Sequence, residues 1–309
     1  MRERVLVVGG TGFIGKNLIK KLKEKNYSIL SISLSMPSKL NKINKVKYYA
    51  CDISNKKELF NFFKKKKIEY VVNLGGYVDH SNKKKTYESH YRGLKNLVDN
   101  LNSKKIKKFI QIGSSLENAN IKSPQIENYN SSQSEIPSTY GRAKLQSTKY
   151  LLKAYKNNNF PVTIFRLFQT YGPGQLPNRL IPFVIDQCIN DKIFPCSSGL
   201  QFRDFIYISD VVDILVKALK NKNSNGDIYN LGCGKGINVK NIILKVNKII
   251  GSGKPSFGRL KLRKDEMKYI FADIKKLKKT FKWTPKISFN LGLLKTINYF
   301  KNAKQKKIS

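Results

Sequence analysis

Histidine and closely spaced cysteine are scarce in this 309-residue chain, which has two histidines and four cysteines. The cysteines are Cys51, Cys188, Cys196 and Cys233, and none of them forms a CxxC pair. A zinc site needs three or four ligands at characteristic spacings. The sequence therefore predicts no metal site and indicates scattered, reduced thiols.

Long apolar runs are also missing. No stretch of the chain approaches the roughly 18 apolar residues that a membrane-spanning helix needs. The opening residues, MRERVLVVGG, lead directly into a strand pattern and contain no apolar segment or cleavage site of a signal peptide. We therefore expect a cytoplasmic protein with no membrane segment.

Acidic residues are few, with 20 Asp and Glu against 60 Lys and Arg, and the formal net charge is +40. Such a charge would suit a nucleic-acid-binding protein. However, nine of the basic residues are arginine, and the remaining 51 lysines are spread along the whole chain. Nucleic-acid sites are richer in arginine and in aromatic residues. The pattern favours a solvated basic surface that attracts an anionic substrate, and not a nucleic-acid partner.

The first half of the chain alternates short apolar runs with longer amphipathic stretches. The predicted strands cover 4–9, 28–34, 46–50, 70–75, 108–113 and 162–168, and the predicted helices cover 13–25, 56–66, 86–102 and 139–157. This alternation is typical of an α/β protein with a Rossmann-type, doubly wound parallel sheet. We assign residues 1–168 to that domain.

After about residue 170 the alternation stops, and the segment TYGPGQLPN indicates a loop. The patterns that follow predict strands at 205–208 and 228–232 and helices from Ser209, near 238–249 and at 289–302. We expect a smaller, mixed α/β domain over 169–309, with segments near 202–232 returning to the first domain.

A glycine-rich loop, GGTGFIG, spans residues 9–15 between the first strand and the first helix. In this setting Gly9 permits a tight turn, Gly12 lets the backbone approach a pyrophosphate, and Gly15 packs the helix on the strand. The helix N-terminus then faces the phosphates. The loop predicts a dinucleotide cofactor.

The second strand ends in SISLSMPSK, with no acid to hold the ribose 2′-hydroxyl of NAD. Ser33, Ser35 and Lys39 could instead accept a 2′-phosphate, which favours NADP over NAD and leaves both open. Asp52 follows the third strand. It could bind the adenine amino group, or it could cap a helix that begins near residue 54.

Tyr140 and Lys144, in YGRAK, lie at positions i and i+4 and so share one helix face. A free tyrosine, with a pKa near ~10, is a poor base at neutral pH. A neighbouring ammonium and an oxidised nicotinamide would lower that pKa, so that Tyr140 can exchange a proton while hydride moves. Tyr91 and Lys95 have the same spacing, but they precede the strand ending in GSS and are interpreted as helix surface.

Taken together, these motifs resemble an extended short-chain dehydrogenase/reductase of the NAD-dependent epimerase/dehydratase family, which acts on nucleotide sugars. The similarity covers nearly the whole chain, including NLGG at 73–76, RLFQTYGPGQ at 166–175 and QFRDFIYISDV at 201–211. It implies that residues 169–309 bind the nucleotide sugar and that the protein is a homodimer. It also implies further contacts to NADP or NAD from Phe13, Ile14, Ser33, Asp52, Ile53, Leu74, Gly75, Gly76 and Lys144.

The resemblance implies substrate contacts as well. Ser114 would hydrogen-bond the reacting sugar oxygen, with Ser115 in that role if the register shifts by one residue. Arg203 and Arg263 would clamp the nucleotide diphosphate, as would Gln169, which replaces the usual Asn of the family.

Two of these arginines have a structural alternative. Arg203 could form an ion pair with Asp204 or Asp210, and Arg263 could be a surface residue in a basic loop.

The residues after Ser114 restrict the reaction. Family members that remove water carry Asp-Glu or Ser-Glu directly after the catalytic hydroxyl, whereas this chain has Ser115 and Leu116. Leu116 cannot move a proton, and Glu117 comes one position late and is expected on the opposite face. Dehydration is therefore disfavoured.

Two reactions remain, reduction of a 4-keto sugar, often a 6-deoxy hexose, and 4-epimerisation with a retained NAD. The missing ribose acid favours the reductase. A catalytically silent member that binds nucleotide or nucleic acid is a third possibility, but the joint presence of Ser114, Tyr140 and Lys144 argues against it.

Overall fold

The computed structural model describes residues 2–308 except 65, 78, 102–103, 119–120 and 263–265. Within them, seven parallel strands form the main sheet, and each lies close to a predicted strand. Their spatial order is β10 (Asp227–Leu231), β6 (Val162–Leu167), β5 (Lys108–Ser114), β4 (Tyr70–Asn73), β1 (Arg4–Val8), β2 (Ser28–Ser33) and β3 (Val46–Ala50). The predicted Rossmann-type fold is confirmed.

Helices pack against this sheet and against the small sheets of the second half of the chain. In chain order they are α1 (Phe13–Glu24), α2 (Lys56–Phe63), α3 (Lys83–Tyr87), α4 (Gly93–Asp99), α5 (Thr139–Asn158), α6 (Leu180–Ile189), α7 (Ile208–Ala218), α8 (Val239–Ile250), α9 (Lys275–Phe281) and α10 (Phe289–Ile308). Because successive side chains of a strand point to opposite faces, Val5 and Val7 pack into one core and Leu6 and Val8 into the other.

The single helix predicted over 86–102 is interrupted. A π-helical turn, Glu88–Arg92, separates α3 from α4. The carbonyl of His90 in this turn accepts a hydrogen bond of 2.7 Å from the hydroxyl of Ser147 on α5. Such turns occur often at functional sites, and this one sets the position of His90 relative to α5.

The second half adds two small sheets. One contains β7 (Gln169–Tyr171), β9 (Phe202–Tyr207), β11 (Gly236–Asn238) and β13 (Tyr269–Ile270), and the other pairs β8 (Ile193–Pro195) with β12 (Lys254–Ser256). Sequence patterns missed most of these strands, because two or three residues carry no alternation. They also missed α6, whose sequence LIPFVIDQCI is too uniformly apolar to have a helical period.

Gly15 is the glycine of the loop that lies closest to neighbouring backbone atoms. A Cβ at this position would lie 2.3 Å from the Gly9 oxygen and 2.6 Å from the Gly10 Cα. Both are backbone atoms that cannot rotate away, so we expect Gly15→Ala to lower the free energy of unfolding by about 1–3 kcal/mol. Urea denaturation measures this loss.

Gly12→Ala is the matched control, since its nearest contact would be the Gly9 oxygen at 3.3 Å. Equal losses in the two variants would contradict the packing role of Gly15.

Candidate active site

A cleft of about 630 Å³ opens at the carboxyl ends of β1, β4, β5 and β6. In a doubly wound sheet, ligands bind at this edge, near the point where the strand order changes direction. Here that point lies between β1 and β4. The walls of the cleft contain residues from the glycine loop, the ends of three further strands, the start of α5 and the β9 region. Segments far apart in the sequence therefore meet at one site.

The glycine loop forms one end of the cleft. Gly9 has a φ of +78°, and α1 begins just after Gly12, which caps the helix without a side-chain hydrogen bond. The first amides of such a helix are free to bind an anion. Gly9, Gly12, Phe13, Ile14 and Gly15 all line the cleft. The loop thus fits the pyrophosphate of a dinucleotide.

The end of β2 lies beside this loop. The Ser33 hydroxyl accepts a hydrogen bond of 3.3 Å from the Thr11 amide. The Lys16 ammonium donates to the Asn41 side-chain oxygen at 3.1 Å, which holds the 3₁₀ turn Lys39–Asn41 against α1. Ser33 is therefore tied to the glycine loop, and the turn that carries Lys39 is tied to the helix that follows the loop.

The other predicted cofactor residues divide into two groups. Leu74 and Gly76 line the cleft, whereas Ser33, Asp52, Ile53 and Gly75 lie outside its walls. Asp52 accepts hydrogen bonds from the Ser54 amide and hydroxyl at 2.8 Å, and the N-cap of α2 is Asn55.

Ile53 is buried and packs close to Gly75 and Gly93. The cofactor contacts of Asp52, Ile53 and Gly75 stay predictions.

Ser114, Tyr140 and Lys144 come together at the centre of the cleft. The Ser114 hydroxyl lies beside Tyr140 and favours its phenolate form. The Lys144 ammonium donates to the Ile112 carbonyl at 2.7 Å, which fixes it behind the end of β5. α5 presents both residues because Ser138 caps it, accepting from the Gly141 amide at 3.0 Å.

Burial dominates the electrostatics of this group. It raises the pKa of Tyr140 to about 12, against the opposing effects of the Ser114 hydroxyl and the Arg179 guanidinium. It also lowers the pKa of Lys144 to about 8. An additional positive charge beside Tyr140 would stabilise the phenolate and bring its pKa closer to neutral.

Glu117 does not face the cleft. Its side chain and that of Arg166 are 0 % exposed, and their Oε2 and Nε atoms are 3.3 Å apart. The other Glu117 oxygen accepts a hydrogen bond of 2.7 Å from the Ser114 amide. Leu116, by contrast, is 38 % exposed and lines the cleft. This arrangement agrees with the expectation that Glu117 lies on the face opposite the catalytic hydroxyl.

Both histidines of the chain pack on Tyr140, which sequence patterns did not indicate. The His80 ring stacks on the Tyr140 ring, with centroids 4.0 Å apart and an interplanar angle of 14°. The His90 ring meets Tyr140 edge-on, at 4.9 Å and 77°. His90 is 6 % exposed, and its Nε2 lies 3.2 Å from the Tyr77 carbonyl oxygen.

The substrate side of the cleft contains Ser115, Gln169 and Arg203. Arg203 is 8 % exposed and forms an ion pair with Glu266, while its Nη1 donates to the Phe202 carbonyl at 2.7 Å. Arg179, which the motif analysis did not select, also lines the cleft.

The alternative pairing of Arg203 with Asp204 or Asp210 is wrong, because both carboxylates accept backbone amides instead. Asp204 binds the amides of Cys233, Gly234 and Ala272, and Asp210 binds those of Lys286 and Ile287. Arg263 lies outside the described residues.

In the described part of the chain, no cluster of three His, Cys, Asp or Glu side chains is arranged to hold a metal ion. Among these residues, no helix is both long enough and apolar enough to cross a membrane.

Removing the Glu117 charge is expected to destabilise the protein. Glu117→Gln keeps an acceptor for the Ser114 amide but leaves the buried Arg166 guanidinium without its counter-ion. Breaking such a pair costs about 3–5 kcal/mol, which urea denaturation would detect.

Glu135→Gln is the control, because Glu135 is exposed at the mouth of the cleft. A loss no greater than that of the control would contradict the structural role of Glu117.

Gly76 and His90 are expected to be energetically coupled. Gly76 has a φ of +152°, and a Cβ there would lie 1.8 Å from the His90 Cε1. Gly76→Ala should therefore lower the free energy of unfolding by about 1–3 kcal/mol. In a His90→Ala background the loss should be smaller, which a double-mutant cycle measures. The same loss in both backgrounds would assign the whole effect to the backbone conformation.

Comparisons with known proteins agree with this geometry. The model of the NAD dependent epimerase/dehydratase family matches residues 5–232. Human dTDP-D-glucose 4,6-dehydratase is 28 % identical over 97 % of this chain and 90 % of its own length. The UDP-glucose 4-epimerase of Bacillus subtilis is 26 % identical, over 91 % and 92 %.

Among solved structures, the UDP-glucose 4-epimerase of Thermotoga maritima with UDP-glucose superposes with a TM-score of 0.85 at 24 % identity, covering 97 % of this chain and 99 % of its own. The predicted family and its NAD(P) cofactor class are confirmed, and the chain is an enzyme of the NAD-dependent epimerase/dehydratase family, whose members act on nucleotide sugars.

Proposed function

We propose that this enzyme reduces the 4-keto group of a nucleotide-linked 6-deoxy hexose and uses NADPH in preference to NADH. The observation that carries the proposal is the environment of Tyr140. Leu116 occupies the cleft wall, and the nearest following acid, Glu117, is buried in a pair with Arg166. Tyr140, Lys144 and Ser114 suffice for reduction, which needs no second acid or base.

Each of these residues has a distinct task. Tyr140 donates its proton to the sugar O4, and the Ser114 hydroxyl hydrogen-bonds the same oxygen and orients the ketone. Lys144, fixed by the Ile112 carbonyl, stabilises the phenolate that forms. NADPH, when bound, supplies the hydride.

The preference for NADPH follows from the end of β2. Ser33 stands where a carboxylate would hold the ribose 2′-hydroxyl of NAD. Ser33 contacts the glycine loop, and Lys16 of α1 contacts the turn that carries Lys39. We expect a 2′-phosphate at this end of the cleft to meet hydroxyl and ammonium groups. An acid is absent from this segment of the sequence.

The substrate is proposed to bind as a nucleotide diphosphate sugar. Arg203 and Arg179 provide guanidinium groups on the substrate side of the cleft, and Gln169 adds an amide. A guanidinium group can bind a phosphate with two parallel N–H···O hydrogen bonds. The nucleotide-sugar product would serve as a precursor of a surface polysaccharide. We further propose that residues 169–309 form most of the sugar-nucleotide domain and that the enzyme acts as a homodimer.

A 4-epimerase with a retained NAD is the second candidate. It is favoured by the alignment with the UDP-glucose 4-epimerase of Bacillus subtilis, which covers 91 % of this chain. Epimerisation would use the same Ser114, Tyr140 and Lys144.

The cofactor distinguishes the two candidates. A reductase must release its oxidised cofactor in every cycle, whereas an epimerase regenerates it in place. We expect the purified, denatured protein to release no stoichiometric NAD and the native protein to bind NADPH more tightly than NADH, as measured by calorimetry. Stoichiometric NAD in the supernatant would overturn the reductase in favour of the epimerase.

Tyr140→Phe tests the mechanism within the same protein. It should lower kcat by about 10²-fold or more and leave the affinity for NADPH nearly unchanged, because the lost hydroxyl acts on the substrate. Unchanged turnover of 4-keto nucleotide sugars would refute the assignment of Tyr140.

A further inference from the structure

The loop that follows β4 places an imidazole beside the proton donor. His80 lines the cleft and stacks on the Tyr140 ring at 4.0 Å between centroids. His80 is only partly covered by its neighbours, so a ligand in the cleft can reach it. The imidazole of His80 is therefore in direct contact with Tyr140, the residue that is proposed to protonate the sugar.

Several contacts hold this loop to the π-helical turn. The Tyr77 amide donates to the Ser89 hydroxyl at 2.9 Å, and the Tyr77 carbonyl oxygen lies 3.2 Å from the His90 Nε2. Asp79 accepts from the Ser81 amide at 3.1 Å, which closes a tight turn around His80. Hydrogen bonds of the residues before and after His80 thus hold its imidazole in place.

The hydrogen-bonding capacity of His80 is only partly used. The Tyr77 backbone acts on its ring, and a neutral imidazole has one nitrogen that is an acceptor. No contact within the described part of the chain takes that nitrogen.

The groups that face His80 are Tyr140, His90, Lys144, Arg179 and Asp79. Burial, and then the charges of Arg179 and Lys144, lower the pKa of His80, against a smaller opposing effect of Asp79. An acceptor of this kind suits a hydroxyl group of the substrate.

The chemistry of the proposed substrate identifies the hydroxyl. In a 4-keto-6-deoxy hexose, the reacting C4 is flanked by C3, which carries a hydroxyl, and by C5, which carries a methyl group. The ring oxygen on C5 cannot donate a hydrogen bond, so the 3-hydroxyl is the hydrogen-bond donor nearest the reacting carbon. We propose that His80 accepts a hydrogen bond from this 3-hydroxyl and selects 3-hydroxy over 3-deoxy sugars, an inference that rests on the proposed function.

The test compares a nucleotide-linked 4-keto-6-deoxy hexose with its 3-deoxy counterpart. The nucleotide is whichever of UDP, dTDP, CDP and GDP the wild-type enzyme binds most tightly. We expect kcat/KM to favour the 3-hydroxy sugar about tenfold in the wild type, the contribution of one neutral hydrogen bond. His80→Phe keeps a ring to stack on Tyr140 but has no acceptor, so the preference should disappear.

Two further variants separate the imidazole from the loop. Asp79→Asn retains the oxygen that binds Ser81 and should keep the wild-type preference. His80→Asn restores an acceptor oxygen and should recover part of the preference. A role of His80 in loop structure alone would lower kcat/KM for both sugars equally and leave their ratio unchanged.

Binding is measured in parallel, so that the outcome does not depend on turnover. Calorimetry with the corresponding 4-hydroxy nucleotide sugars should show the same tenfold preference, lost only in His80→Phe. If neither ketone is reduced but this binding preference behaves as expected, the proposed function fails and the His80 contact stands. A preference that persists in His80→Phe, or is absent from the wild type, overturns the inference.

Discussion

The site depends on the contacts that the buried carboxylate of Glu117 makes. One oxygen accepts from the Ser114 amide on β5, and the other accepts from the Thr148 hydroxyl on α5 at 2.6 Å and pairs with Arg166 on β6. Three elements are therefore joined at one buried charge. Because a buried ion requires all of its partners, this contact fixes α5 against β5 and brings Tyr140 to Ser114. The neighbouring Gly113 leaves room for it, since a Cβ there would lie 2.4 Å from the Glu117 Oε1.

The cleft joins this rigid centre to two ends with different chemistry. At one end, the glycine loop offers backbone amides, and its shape depends on glycine at close approaches. At the other end, Arg179 and Arg203 offer guanidinium groups, one of them paired with Glu266. Both ends suit phosphate, and the basic surface of the whole molecule attracts such anions over a longer range. Reaction specificity is decided between the two ends, where Leu116 and His80 line the cleft beside Tyr140.

The same Ser-Tyr-Lys group can support more than one reaction, so the reaction of this enzyme depends on the residues around that group. Leu116, two positions after Ser114, lines the wall of the cleft and cannot transfer a proton. The two histidines add planar side chains around Tyr140 without adding a positive charge, because burial and the Lys144 ammonium lower the pKa of His90 to about 2. His90 in turn requires glycine at position 76. Residues outside the catalytic group thus adjust both the shape and the polarity of the site.

The sequence by itself determined the parallel sheet, the glycine loop and the joint position of Tyr140 and Lys144. These follow from local regularities, namely the two-residue period of strands, the spacing of glycines in a turn and the i, i+4 geometry of a helix. Tertiary structure alone decided the pairing of Glu117 with Arg166, the pairing of Arg203 with Glu266 and the stacking of His80 on Tyr140. Each of these contacts joins residues 49 or more positions apart. The order of strands in the sheet brings such residues together, and no local pattern encodes that order.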